Sequence, residues 1–316
     1  MNDELFQRSK FELLQDHQDE MEDKQRKDGV IIPKDPDDKD YWNAVYHSQV
    51  VDKENHLSNK GGQLVVPEGF EPERMRPGEY RKVGFVSDAP QTKVAPTWDI
   101  QMGEKQLDID CEEMREFLLE KEVYLKETFP AASDGSTKLG PNSVTSRFQY
   151  FNLMNFDHPI IKKLHKEIKR FHGQFNREVF GLSYVPPTKL RIRSWFNVMR
   201  RGERIHKHLH SIHPHTYYGG HFTVCCNETA TIYVNPYDHA NELDIIRRIN
   251  QGEGIDCRSA SFYVAHNIPG QLSLFPNYVP HFTTRHMTDE ERITIAFDIT
   301  PLSSMFRTDA EDLPPL

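Results

Sequence analysis

A chain of 316 residues, 37% hydrophobic and 28% charged, is long enough for one large core, or for one core with an appendage. Its formal net charge of −9 argues against loose binding to phosphate backbones, although a local basic groove stays compatible with it. Four cysteines (Cys111, Cys225, Cys226 and Cys257) make no CxxC pair, which points away from a disulfide framework or a cysteine zinc site and towards a reduced, cytoplasmic setting.

The first twenty residues are charged and lack an apolar h-region, so they do not read as a signal peptide. No run approaches the roughly 18 apolar residues of a membrane helix, and a soluble protein is expected. Residues 1–28 read as a polar, solvated helix. From Gly29 to about Thr97 the chain is rich in Pro, Gly, Asp and Lys and reads as extended loop, with one short strand at Val83, Phe85 and Val86. Residues 1–109 are therefore expected to be a loop-rich extension, 110–300 the folded domain and 301–316 a tail without periodic signal.

Asp110 with Glu113 resembles a capping box, followed by an apolar side of Met114, Phe117, Leu118 and Tyr124. A second helix is expected after Asp157 as N-cap, with Pro159 in the first turn. Ile161, Leu164, Ile168, Phe171 and Phe175 recur on it at spacings of three and four, one buried stripe to lay on a sheet. After Val185 the texture turns to short strands: KLRIRSWFNVMR, GGHFTVCC, ATIYVNP, SFYVAHN, GQLSLFP and RITIAFDI. Such spacing predicts a sandwich or barrel, mainly β with packing helices, interrupted by one short helix over Asn241–Ile249. Trp195, Phe196, Phe222, Tyr233, Phe262, Tyr263, Phe275 and Phe297 read as core rather than as a substrate platform.

Six of the sixteen histidines crowd into sixteen residues: His206, His208, His210, His213, His215 and His221. Imidazole is a good ligand for Fe, Zn, Cu and Ni. On a strand, residues i and i+2 share a face, so His208 and His210 can aim at one point. His206 with His208, or His213 with His215, could do the same, and several of the six are expected to be merely solvated. A distant His281 could close such a site, and Arg292, eleven residues further on, could grip a carboxylate near the metal through its planar fork. Taken alone, Arg292 reads as a surface partner of Asp289 or Glu290.

From roughly Val144 to Ile299 the sequence resembles the 2-oxoglutarate/Fe(II) oxygenases, most closely a branch of marine bacteria and their phages. The resemblance is carried by Trp195-Phe196-Asn197, Gly202, His208-Leu209-His210, Gly219-Gly220, Asn235-Pro236, the run from Gly270 to Pro276, His281 and Arg292-Ile293-Thr294. It implies a double-stranded β-helix, the jelly-roll or cupin-like core. It also implies iron(II) on His208, His210 and His281, and 2-oxoglutarate chelating that iron. Arg292 and Thr294 would hold the far carboxylate, with Asn197 and Tyr217 offering hydrogen bonds in the pocket. Decarboxylation to succinate would then accompany hydroxylation of a substrate, expected to be a small molecule, by dioxygen.

The sequence departs from the superfamily at one ligand. A His-x-Asp/Glu pair is usual, yet no carboxylate stands two residues after His208. Three neutral ligands leave a metal more positive, so zinc or copper competes with iron. Register leaves a second choice: aligning on Gly202 selects His208 and His210, whereas aligning on the Gly-Gly strand places His213 at the second ligand. Two other readings stay open at this point, a three-histidine dioxygenase that needs no 2-oxoglutarate and a non-catalytic cupin-like module.

Overall fold

The computed structural model describes residues 63–66, 70–85, 100–131, 137–180, 190–210, 218–225, 229–238, 240–251, 261–301 and 313–316. The chain divides into two compact units, Met1–Asn59 and Lys60–Leu316, and every described residue belongs to the second.

Two strands, β1 (Tyr80–Gly84) and β2 (Gln101–Gln106), precede helix α1 (Cys111–Thr128). Asp110 caps α1, its carboxylate accepting from the backbone N–H groups of Glu112 and Glu113. Met114, Phe117 and Leu118 are buried as the pattern requires, but Tyr124 is half exposed. Helix α2 (Pro159–Phe180) follows two short 3-10 turns, Thr145–Arg147 and Leu153–Asn155. Its expected cap shifts by one residue: His158 Nδ1 accepts from the Ile160 N–H, while Asp157 lies outside the helix and pairs with Lys162. The α2 stripe is as read, with Ile161, Leu164, Ile168, Phe171 and Phe175 each at most 1% exposed. Burying a side chain of this size contributes about 1.5–3 kcal/mol, so the stripe clamps α2 onto the sheet.

The remaining elements are β3 (Leu190–Met199), β4 (Tyr218–Cys225), β5 (Ala230–Val234), α3 (Glu242–Asn250), β6 (Phe262–His266), β7 (Gln271–Pro276), β8 (His281–Thr283) and β9 (Arg292–Pro301). They build a six-stranded sheet, β1-β2-β7-β4-β9-β3, and a three-stranded sheet, β6-β5-β8, with every pairing antiparallel. A lone bridge between His208 and His281 adds the 208 segment to the edge of the smaller sheet. From β3 onward the chain passes to the 208 segment, then β4, then β5 and β6, then β7, β8 and β9, so it switches repeatedly between the two sheets. That strand order is a double-stranded β-helix, a jelly roll with helices packed outside.

The period-2 alternation assigns the faces. Ile192, Phe196, Val198, Phe222, Leu272, Leu274, Ile293, Ile295, Phe297 and Ile299 face α1 and α2 in the main core. Residues of the opposite parity, including Trp195, Asn197, Met199, His221, Thr223, Arg292, Thr294 and Asp298, face inward between the sheets. Trp195 thus lies on the face opposite Phe196, where sequence reasoning had grouped both as core. The main sheet also reaches further upstream than residue 110, because β2 pairs with β7. The strand expected around Val83 runs from Tyr80 to Gly84; Val86 lies outside the described residues, as do the helix expected over 1–28, His213, His215 and Tyr217. At the other end, Leu313 and Leu316 are buried and Pro315 bridges Arg191, so part of the tail packs on the domain. Among the described residues, no helix is long and apolar enough to cross a membrane.

Candidate metal centre

Two backbone hydrogen bonds join His208 and His281 face to face, at 3.0 and 3.1 Å. An antiparallel pair of this kind puts both side chains on one side of the sheet, and His210, two residues on, shares the face of His208. One ligand-capable atom from each of His208, His210 and His281 lies within 4.8 Å of the others. The ring centroids are 4.3 Å apart for His208 and His281, 5.0 Å for His210 and His281, and 5.6 Å for His208 and His210.

Each ring has its Nδ1 engaged from outside the cluster. His208 Nδ1 meets the His206 carbonyl at 2.8 Å and His281 Nδ1 the Val279 carbonyl at 3.2 Å. A carbonyl only accepts, so both Nδ1 atoms carry the proton and both Nε2 atoms keep their lone pairs. His210 Nδ1 meets the Asp298 carboxylate at 2.6 Å. Burial pushes His208 down to about 4, with the charge His210 would carry adding to the effect. Burial, and after it the neighbouring His208 and His210, hold His281 well below its usual value. At neutral pH these two imidazoles are uncharged, the form that binds a metal. Convergent and mostly buried, with the tautomers of His208 and His281 fixed, the donor set fits a divalent transition metal.

Packing keeps the rings in place. Trp195 lies 5.6 Å from His210 and 5.9 Å from the exposed Phe148, so it links the centre to the surface. Phe275 closes on His281 at 4.7 Å and on His210 at 5.5 Å. Gly219 is needed opposite: a Cβ there would stand 2.9 Å from His210 Nδ1 and 2.9 Å from a Phe275 ring carbon. The loop before His208 is tethered to α3, whose Glu242 accepts the Lys207 N–H at 2.6 Å and pairs with Arg204 at 3.1 Å.

Arg292 is 1% exposed, which removes it from the surface position that its neighbours in sequence suggested; Asp289 pairs with Arg201 instead. Its guanidinium donates to the Thr229 hydroxyl at 3.2 Å and to the Thr231 hydroxyl at 3.4 Å. With the Asn267 amide oxygen turned towards it, Nη2 gains an acceptor at 3.0 Å. Thr294 faces Asn197 on one side and Thr223 on the other. The Asn197 carbonyl accepts the Thr145 hydroxyl at 2.7 Å, which ties β3 to the first 3-10 turn.

Sequence reasoning gave several residues here no role in the site. His221 lies in the interior with its Nδ1 3.2 Å from the Tyr233 hydroxyl. Burial, then the Arg292 charge, pushes His221 down to about 3. Tyr233 and Phe275 are buried as expected, yet they also wall the centre. Asp298 had a signal in hindsight: it continues the inward parity of Arg292, Thr294 and Ala296.

Residues 193–298 match the family model described as "Putative 2OG-Fe(II) oxygenase". No curated protein matches the chain by sequence. Among solved structures, a prolyl-4-hydroxylase of Pseudomonas putida is 9% identical, covering 63% of this chain and 92% of its own, with a TM-score of 0.39. A 2OG-Fe(II) oxygenase family oxidoreductase of Burkholderia pseudomallei is 15% identical over 62% and 84% of the two chains, TM-score 0.32. Iron-bound HygX of Streptomyces hygroscopicus is 14% identical over 64% and 83%, TM-score 0.35. The fold assignment rests on the strand order itself.

Three inward imidazoles at one point of a jelly roll define a candidate metal centre. All three lie within residues 193–298, the stretch that is similar to the 2OG-Fe(II) oxygenase family, and the donor set fits the iron(II) of that chemistry.

Proposed function

We propose that the protein hydroxylates a C–H bond of a small molecule, with His208, His210 and His281 holding iron(II) and Arg292 and Thr294 holding the far carboxylate of 2-oxoglutarate. The carrying observation is the convergence of the three imidazoles within 4.8 Å. It favours the register that selects His208 and His210. When bound, iron(II) with 2-oxoglutarate supplies oxidising power from dioxygen, coupled to loss of carbon dioxide and formation of succinate.

The chain's own groups then have distinct tasks. Tyr233 is paired with His281 across β5 and β8, and Thr231, beside the Arg292 fork, is paired with Thr283 two residues along. Two residues of strand span about 7 Å, a separation suited to a five-carbon dicarboxylate running from the metal to the guanidinium. Arg292 would orient it by a charge-assisted bond. Asn197 would add a hydrogen bond through its amide nitrogen, since its carbonyl serves Thr145. Phe275 and Tyr233 would keep water from the reacting atoms, and Trp195 would form the substrate side of the mouth.

Residues 110–300 would be the catalytic core, with β1 and β2 adding to its sheet. The Trp195-Phe196-Asn197 and His208-Leu209-His210 segments support placement in the marine bacterial and phage branch, and the sparse cysteines support a cytoplasmic setting. The test is an anaerobic titration with iron(II) and then 2-oxoglutarate. A metal-to-ligand charge-transfer band is expected, followed by succinate on admitting air. Metal-replete protein that gives neither refutes the proposal.

A further inference from the structure

The ligand set His208, His210 and His281 carries no formal charge, whereas two histidines and a carboxylate would carry −1. A carboxylate is nevertheless present one hydrogen bond further out. Asp298 Oδ1 stands 2.6 Å from His210 Nδ1, and its side chain is only 15% exposed. That distance is shorter than an ordinary neutral nitrogen–oxygen hydrogen bond. The contact is built into the fold. Asp298 faces Gly219 across β9 and β4, and the missing Cβ of Gly219 leaves the room that the His210 ring fills. Trp195 and Phe275 hold the same ring from other directions.

His210 differs in this from the other two rings, whose Nδ1 atoms meet neutral backbone carbonyls. We infer that Asp298 is a positioning residue. It holds His210 with the proton on Nδ1 and the Nε2 lone pair towards the metal, and it restores outside the ligand shell the negative charge that the shell lacks. A carboxylate behind a metal-bound imidazole makes that imidazole a stronger donor and fixes its angle. The inference rests on the proposed ligand set, so its test must separate the two.

The experiment uses the full chain with Asp298→Ala and the near-isosteric Asp298→Asn, each checked for folding by near-UV circular dichroism. Two quantities are read: the His210 tautomer in metal-free protein, from long-range proton–nitrogen-15 correlation, and the Kd for cobalt(II), from its visible absorption. In wild type, His210 should be a single Nδ1–H tautomer. Asp298→Ala should mix the tautomers and weaken cobalt(II) binding roughly 10- to 100-fold. Asp298→Asn, whose amide oxygen still accepts the Nδ1 proton but bears no charge, should keep the tautomer and fall between the two in affinity. Wild-type binding with an unaltered Kd in both variants overturns this inference alone. A wild type that takes no cobalt(II) overturns the ligand set, and this inference with it.

Discussion

Gly219→Ala should damage the metal centre while leaving the sheet standing. The glycine sits inside β4 without a positive φ, so alanine suits its backbone. The added methyl is the whole perturbation. It would meet His210 Nδ1 and the Phe275 ring at 2.9 Å each, about 0.5 Å or more inside ordinary contact. Neither neighbour has slack, since His210 is tied to Asp298 at 2.6 Å and Phe275 is 1% exposed. Overpacking of this kind costs about 1–3 kcal/mol. Displacing His210 should also weaken metal binding by roughly 10- to 100-fold, the scale seen when the support of a ligand is lost. Urea unfolding and a cobalt(II) titration read the two effects separately. Gly220→Ala is the control: its methyl would press on Phe297 and the Ser273 carbonyl on the outer side, so it should lose stability without a comparable change in the metal Kd of the folded fraction. An unaltered metal Kd in Gly219→Ala would refute the argument that the missing Cβ shapes the His210 seat.

Arg292→Ala should weaken 2-oxoglutarate binding by about 2–5 kcal/mol, roughly 30-fold or more in Kd, with cobalt(II) affinity retained; unchanged cosubstrate binding in isothermal titration would remove Arg292 from the site. Phe175→Ala, the last residue of the α2 stripe, should cost about 3–5 kcal/mol in urea unfolding; a loss below 1 kcal/mol would mean that α2 is not clamped by that ring. Acid should destabilise the metal-free protein through its buried neutral histidines. Burial pushes His172 down to about 4 from an ordinary 6.5. Between those values the unfolded chain binds the proton and the folded chain does not, so stability is intact above 6.5 and falls as pH drops towards 4, by about 3 kcal/mol for this group. A flat unfolding free energy between pH 7 and 4.5 would contradict it.

What the sequence disclosed follows from how local each cause is. The α2 stripe is a property of one helix, so periodicity alone revealed it. The His208–His210 pair is a property of one strand face and was legible, whereas its closure by His281 depends on a backbone bridge across the smaller sheet. Trp195 was grouped with Phe196 as core because a tryptophan suits either side of a strand, whereas it is half-buried on the inward face. β2 gave little warning: Met102 and Glu104 share one of its faces, and the buried Glu104 is met by Arg81 and the Tyr263 hydroxyl at 2.9 and 3.0 Å. No nearby residue announces such a partner. Asp298 was hidden for a similar reason, since a carboxylate in a strand ordinarily reads as its wet side.

The bridge between His208 and His281 has a further consequence. It is a single residue pair at the rim of the smaller sheet, and its two residues are also two of the three imidazoles. An ion held by those rings cross-links the same two segments that the backbone bonds join. Zipping of the rim and occupancy of the centre are then one equilibrium, and each strengthens the other. The iron supply of the cell would thereby set how often this seam opens, so that hydrogen exchange at the His208 and His281 amides becomes a gauge of metal loading in a protein at rest.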